Sequence, residues 1–131
     1  MRQSIEAWIY HPEEREILLL KVEDEKFSFW QPITGGIESG ESPEEACLRE
    51  IKEETGLILS RSNLTGLGDF TVKIDENLTI HKNLFLVRTE QKDIQISDEH
   101  VGAQWVALDK VSSQLYWLSN QATFEIITEK L

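Results

Sequence analysis

The chain predicts an α+β fold, a mixed β-sheet with helices packed on it. Three observations carry this. Apolar alternation or apolar runs mark strands at 4–10, 17–22, 67–74, 78–87 and 104–108. One strongly capped helix falls between the second and third of these. A weaker helical pattern closes the chain, giving the order β-β-α-β-β-β-α. At 131 residues, with 40% hydrophobic and 28% charged side chains, the chain reads as one globular domain spanning 1–131.

In strand 4–10, Ile5, Ala7 and Ile9 alternate with Glu6 and Trp8, as in a half-buried strand. A turn at 11–14, holding His11 as a surface residue, leads to an unbroken apolar run at 17–22. That run predicts a strand covered on both faces and paired with the first as a hairpin. The aromatic segment 27–34, FSFWQPIT, then runs straight into a pair of glycines. Its rings are candidates for stacking on a flat heterocycle, with core packing as the alternative for at least one of Phe27, Phe29 and Trp30.

The helix that follows is the best-marked element. Ser42 is the N-cap, Pro43 suits the first helical position, Glu45 completes a capping box and Gly56 stops the helix. Cys47, Leu48 and Ile51 fall on one face and predict its buried side. Glu50, Glu53 and Glu54 gather on another arc, with Arg49 at its flank. Like charges at these spacings cost about 0.2–0.5 kcal/mol per pair, and they crowd the helix end where the macrodipole disfavours them. Clustered hard oxygens at that cost suit a hard divalent cation, which takes one or two carboxylates and leaves other positions to water and phosphate. The bland alternative is a solvated helix face.

The whole stretch 35–57, GGIESGESPEEACLREIKEETGL, resembles the signature box of the Nudix hydrolase superfamily, MutT-like enzymes among them. Gly35, Glu41, Arg49-Glu50, Glu53-Glu54 and Gly56 stand in its register. The resemblance implies the Nudix α/β/α sandwich, with the box loop and helix on one side of the sheet and the C-terminal helix on the other. It implies hydrolysis of a phosphoanhydride bond in a nucleoside-diphosphate-linked or triphosphate-like substrate, with Mg²⁺ as cofactor and Mn²⁺ as the alternative. Glu50, Glu53 and Glu54 become metal ligands, joined by a main-chain carbonyl around Thr34 and Gly35. A further acid from the loop before the last core strand is expected, and Glu99 fits that place, with Asp98 behind it and His100 beside it. The base is one of Glu53, Glu54 and Glu99. Arg49 orients a glutamate rather than touching substrate, while Glu41, Gly36 and Gly56 support the loop and helix.

Segments outside the box resemble a subgroup, the bacterial dihydroneopterin triphosphate pyrophosphatases. They are Phe29-Trp30-Gln31 before Thr34-Gly35, Glu99-His100 with Trp105, and Trp117 with Ser119-Asn120-Gln121-Ala122. The Gly-Gly at the box entry departs from that subgroup's single glycine. Trp30, Gln31 and Trp117 are accordingly candidates to frame a flat ring, and Lys82, with Lys73 behind it, to hold a phosphate. The alternatives are a (d)NTP or dinucleoside polyphosphate hydrolase of the same superfamily and, from another class, a non-catalytic Nudix-like nucleotide-binding module.

After the box, Asp75-Glu76-Asn77 is turn chemistry between two strands, and His81 is a cross-strand residue. Asp109 predicts the cap of a short helix ending at Gln114. Ser119 predicts that of a longer one, with Ala122, Ile126 and Ile127 inward. The net charge of −11 and the lack of a Lys/Arg run argue against a nucleic-acid polymer as partner. They also mean that an anionic substrate needs cations to bridge it to the protein. The single cysteine, Cys47, precludes an intrachain disulfide and reads as core. No signal-type or membrane-length apolar run occurs, so the expectation is a cytoplasmic protein, monomer or homodimer, acting on a small nucleotide-like molecule.

Overall fold

The computed structural model describes residues 1–131. Its elements run β1 (Arg2–His11), β2 (Glu16–Glu23), β3 (Ser28–Gln31), β4 (Ile33–Gly36), α1 (Pro43–Thr55), β5 (Leu64–Lys73), β6 (Thr79–Arg88), β7 (Gly102–Ala107), α2 (Leu108–Gln114) and α3 (Leu118–Thr128), with one 3₁₀ turn at Arg61–Asn63. The seven strands form one mixed sheet. β1 is its axis. It runs parallel to β6 over its length, pairing Ala7 with Phe85, and antiparallel to β4 at its beginning. The expected β1–β2 hairpin is confined to Tyr10–Ile17 and His11–Glu16, because β2 turns away to pair with β7 and β3.

The aromatic segment yields two strands where none was assigned. They flank Pro32, which has no N–H to give a ladder. β1 also differs from its reading, since Glu6 and Trp8 are as buried as Ile5 and Ile9. The reason is that helices cover both faces of the sheet. Ile5, Ala7, Ile9, Leu18, Leu20, Ile33, Phe85 and Val87 pack against Ala46, Cys47 and Ile51 of α1. Trp8, Tyr10, Ile17, Leu19, Leu84 and Leu86 pack against Val111 of α2 and Phe124 and Ile127 of α3. The result is a three-layer α/β/α arrangement. Each large apolar side chain fully withdrawn from water contributes about 1.5–3 kcal/mol before conformational entropy is counted.

Helix α1 keeps its sequence-predicted limits. Glu45 N–H donates to Ser42 Oγ (3.1 Å), Ser42 N–H donates to Glu45 Oε1 (3.0 Å), and Gly56 closes the helix at φ 77°. Ala46 rather than Leu48 completes its buried face. The later caps differ from expectation. α2 and α3 begin after Ala107 and Trp117 with no side-chain cap, and Asp109 lies in the first turn of α2. In α3 the buried face is Asn120, Thr123, Phe124 and Ile127, so Ala122 and Ile126 face outward. No helix is long and apolar enough to cross a membrane.

Candidate active site

The pairing of β4 with β1 brings the glycine pair against the acidic arc of α1. A cavity of about 300 Å³ opens there, lined by Thr34, Gly35, Gly36, Glu50, Glu53, Glu54 and Glu99 together with Arg2, Ser4, Ile80 and Lys82. Four candidate metal-binding carboxylates, from one helix and a distant loop, thus share one wall. Asp98, the fallback acid, does not line it. At Gly35 the approach is so close that a Cβ would sit 2.1 Å from Glu50 Cδ, so any larger residue would displace the Glu50 carboxylate from its place.

Arg49 organises the loop side. Its Nε and Nη2 donate to Glu41 Oε2 (2.8 Å) and Oε1 (3.0 Å), Nη2 also to the Gly36 carbonyl (2.8 Å), and Nη1 to Glu50 Oε1 (2.9 Å). Glu41 in turn accepts from Glu38 N–H (3.0 Å). The guanidinium holds the Glu41 carboxyl down at about 2, and the Glu41 pair in turn raises the pKa of Arg49. Glu41 is therefore a brace for Arg49, one layer behind the cavity.

The acids themselves are in tension. Burial pushes Glu54 up to about 8, reinforced by the charges of Glu50, Glu99 and Glu53. Burial raises Glu50 too, against the opposing pull of Arg49. His100, buried beside Glu54 (Nε2 to Oε2 3.4 Å), has its pKa lowered by burial, and its Nδ1 has no partner. Glu53 is more than half exposed. No three acidic, His or Cys side chains converge on one point as they stand. The donor set nevertheless fits a hard divalent cation. Mutually repelling carboxylates and a glycine main chain face a common cavity, and added positive charge would relieve the repulsion.

Beyond Thr34 and Lys82, which line both spaces, a second cavity of about 550 Å³ lies between β3, β5 and α3. Its walls include Phe29, Gln31, Val72, Ile74, Trp117 and Asn120, with Lys73 at the rim. Gln31, Lys82 and Trp117 are thus brought together, but Trp30 is not. It points to the other side of β3, beside Lys21 (5.8 Å) and Gly102, and Phe29 takes the cavity position. Strand alternation decides between neighbouring aromatics, and nothing local in residues 27–34 marks the strand that sets the parity. Arg2 and Ser4 were missed because nothing marks a residue at a strand end as facing a site. Asn120 was visible only as part of a matching segment. Lys82 Nζ donates to Glu6 (3.2 Å), so it stands between the cavities already paired. His81 bridges Gln3 (2.6 Å) and Asp69 (2.7 Å) away from both.

The NUDIX domain profile matches residues 2–126. Dihydroneopterin triphosphate diphosphatase of Haemophilus influenzae is 34% identical over 121 residues, 82% of this chain and 75% of that protein. The asymmetrical bis(5'-nucleosyl)-tetraphosphatase of Mus musculus is 29% identical over 115 residues, 84% of this chain and 76% of that one. Among solved structures, the E. coli dihydroneopterin triphosphate pyrophosphohydrolase superposes with a TM-score of 0.83 at 22% identity. The match covers 98% of this chain and 96% of that one.

Proposed function

The chain belongs to the NUDIX domain family, and from that membership we propose a Mg²⁺-dependent pyrophosphohydrolase whose favoured substrate is dihydroneopterin triphosphate or a close analogue. The observation that carries this reading is the joining of two unlike cavities at Lys82 and Thr34. One is acidic and suited to metal and phosphate. The other is walled by aromatic and aliphatic side chains and suited to a flat ring.

Glu50, Glu53, Glu54 and Glu99, with the main chain at Gly35, would hold divalent metal. When bound, it supplies charge neutralisation of the phosphates and a water of lowered pKa. The protein's own contributions follow from the geometry. Arg49, fixed by Glu41 and the Gly36 carbonyl, holds Glu50 against Gly35. Lys82, and Arg2 across the cavity, offer positive charge to non-bridging phosphate oxygens. Glu54 holds its proton up to about pH 8 while the cavity lacks positive charge, and bound metal would ionise it, which suits a ligand or a general base, with His100 beside it. Phe29 and Trp117, packed edge to face at 5.3 Å, offer one shared wall for the ring, which fixes the triphosphate's reach into the acidic cavity.

A second reading, dinucleoside polyphosphate hydrolysis, is favoured by one feature. Phe27 and Tyr116 stack at 5.6 Å outside the cavity and continue its aromatic wall, offering a surface for a second base. A panel of dihydroneopterin triphosphate, (d)NTPs, dinucleoside tetraphosphates and ADP-ribose, with Mg²⁺, Mn²⁺ or chelator and product analysis, tests both. Pyrophosphate release fastest from the pterin with Mg²⁺ is the expected result. No metal-dependent turnover of any member would overturn the hydrolase reading.

A further inference from the structure

We propose that Glu6 is a positioning residue for substrate choice: it fixes which half of the Asn120 amide is offered to a ligand, and so makes the apolar cavity select rings that present N–H groups. The inference rests on the cavity assignment above.

Glu6 is fully buried in the middle of β1, on the face covered by α3. Its carboxylate is an acceptor surrounded by donors. Oε1 accepts from Lys82 Nζ (3.2 Å) and Asn120 Nδ2 (3.3 Å), and Oε2 accepts from Trp8 Nε1 (2.9 Å) and Thr123 Oγ1 (2.5 Å). The lysine and the indole can only donate, so both Glu6 carboxylate oxygens act as acceptors here. An ionised carboxylate accepts only. If the Asn120 amide turned over, its oxygen would face that anion with no proton between them. The NH₂ half is therefore committed to Glu6, and the carbonyl half is the free one.

That free half is unusual. Asn120 is 3% exposed, and its Oδ1 has no hydrogen-bond partner. A buried amide oxygen without a donor is costly and rare. Asn120 also lines the cavity walled by Phe29, Val72, Ile74 and Trp117. A ring N–H or exocyclic NH₂ supplies the missing donor, whereas a ring with only acceptors leaves the oxygen unpaired and adds a repulsive contact. The same Glu6 oxygen holds Lys82, so one buried anion sets both the cation on the phosphate side and the acceptor on the ring side.

The test compares GTP, which presents N1–H and a 2-amino group, with purine riboside 5′-triphosphate, whose ring nitrogens only accept. Because both carry the same triphosphate, the ratio of their kcat/KM values cancels phosphate contacts. The wild type should favour GTP by about tenfold or more, mostly through KM. In Glu6→Gln, and in Glu6→Leu combined with Lys82→Met, which leaves no buried charge unpaired, the ratio should fall to within about twofold of unity. Asn120→Ala should do the same, and adding either Glu6 change to it should move the ratio no further. A wild-type ratio near one overturns the inference. So does a ratio kept in both Glu6 variants but lost in Asn120→Ala. The same comparison by quenching of tryptophan fluorescence, with Ca²⁺ in place of Mg²⁺ so that a cation bridges the phosphates without turnover, separates the two readings. The same pattern in binding without any hydrolysis would sink the hydrolase assignment and leave the role of Glu6 standing. Neither binding nor hydrolysis of either triphosphate would sink both.

Discussion

Replacing Glu54 by Gln should stabilise the metal-free protein while abolishing its chemistry. The folded-state pKa of Glu54 is about 8 against an ordinary 4.5, with burial the first cause. Between those values the native state keeps a proton that the unfolded chain has lost. Metal-free stability therefore falls as pH rises from about 5 to about 8. At roughly 1.4 kcal/mol per pH unit the full shift sets a ceiling of about 5 kcal/mol. The carboxylate opens on a cavity that admits water, which brings the expected loss nearer 2 kcal/mol. For a chain of this length that is a fall in Tm of about 6–10 °C. Thermal melts in chelator at a series of pH values would show this slope in the wild type and a much flatter one in Glu54→Gln. Saturating Mg²⁺ should raise the wild-type Tm most at the alkaline end, where the carboxylates are ionised, and raise that of the variant far less. Turnover should fall by about 100-fold or more. A wild-type Tm in chelator that stays level or climbs from pH 5 to 8, or an identical slope in the variant, would refute the reasoning.

Glu53→Gln should cut Mg²⁺-dependent turnover by about 100-fold or more with little change in Tm, because Glu53 is exposed and makes only long contacts to Arg49; kcat and a melting curve decide this. Arg49→Lys cannot reproduce the fork to Glu41, the Gly36 carbonyl and Glu50, so kcat/KM should fall by about 10–100-fold, checked by kinetics over a range of Mg²⁺ concentrations. Gly35→Ala drives a methyl into the Glu50 carboxylate. It should lower stability by about 1–3 kcal/mol and weaken metal binding, measured by denaturant titration and by Mg²⁺-dependent thermal shift.

What the sequence made legible was local. Ser42, Glu45 and Gly56 determine their helix through bonds that span three or four residues, so their spacing was enough. The acidic arc followed from helical geometry alone. Glu6 and Trp8 were misjudged because their burial depends on α3, whose cover lies over a hundred residues further along the chain. Phe29 rather than Trp30 lines the cavity because face selection in a four-residue strand depends on its partner, and the β2–β3 register of Lys21 with Trp30 is a tertiary fact. The convergence of Glu99 on the helix glutamates was reachable only through resemblance, since no local pattern ties residue 99 to residue 54.

The parallel pairing of β1 with β6 bears on how the chain is made. Residues 4–10 leave the ribosome well before their neighbours on one edge, which arrive only with 82–88, and before the cover of one face, which arrives only with 118–128. During synthesis at about 5–20 residues per second, the apolar side chains of this strand are therefore exposed for several seconds without β6 or the cover of α3. Folding is necessarily late and long-range, and a nascent chain truncated before β6 should be a client for a holding chaperone rather than a partly folded domain.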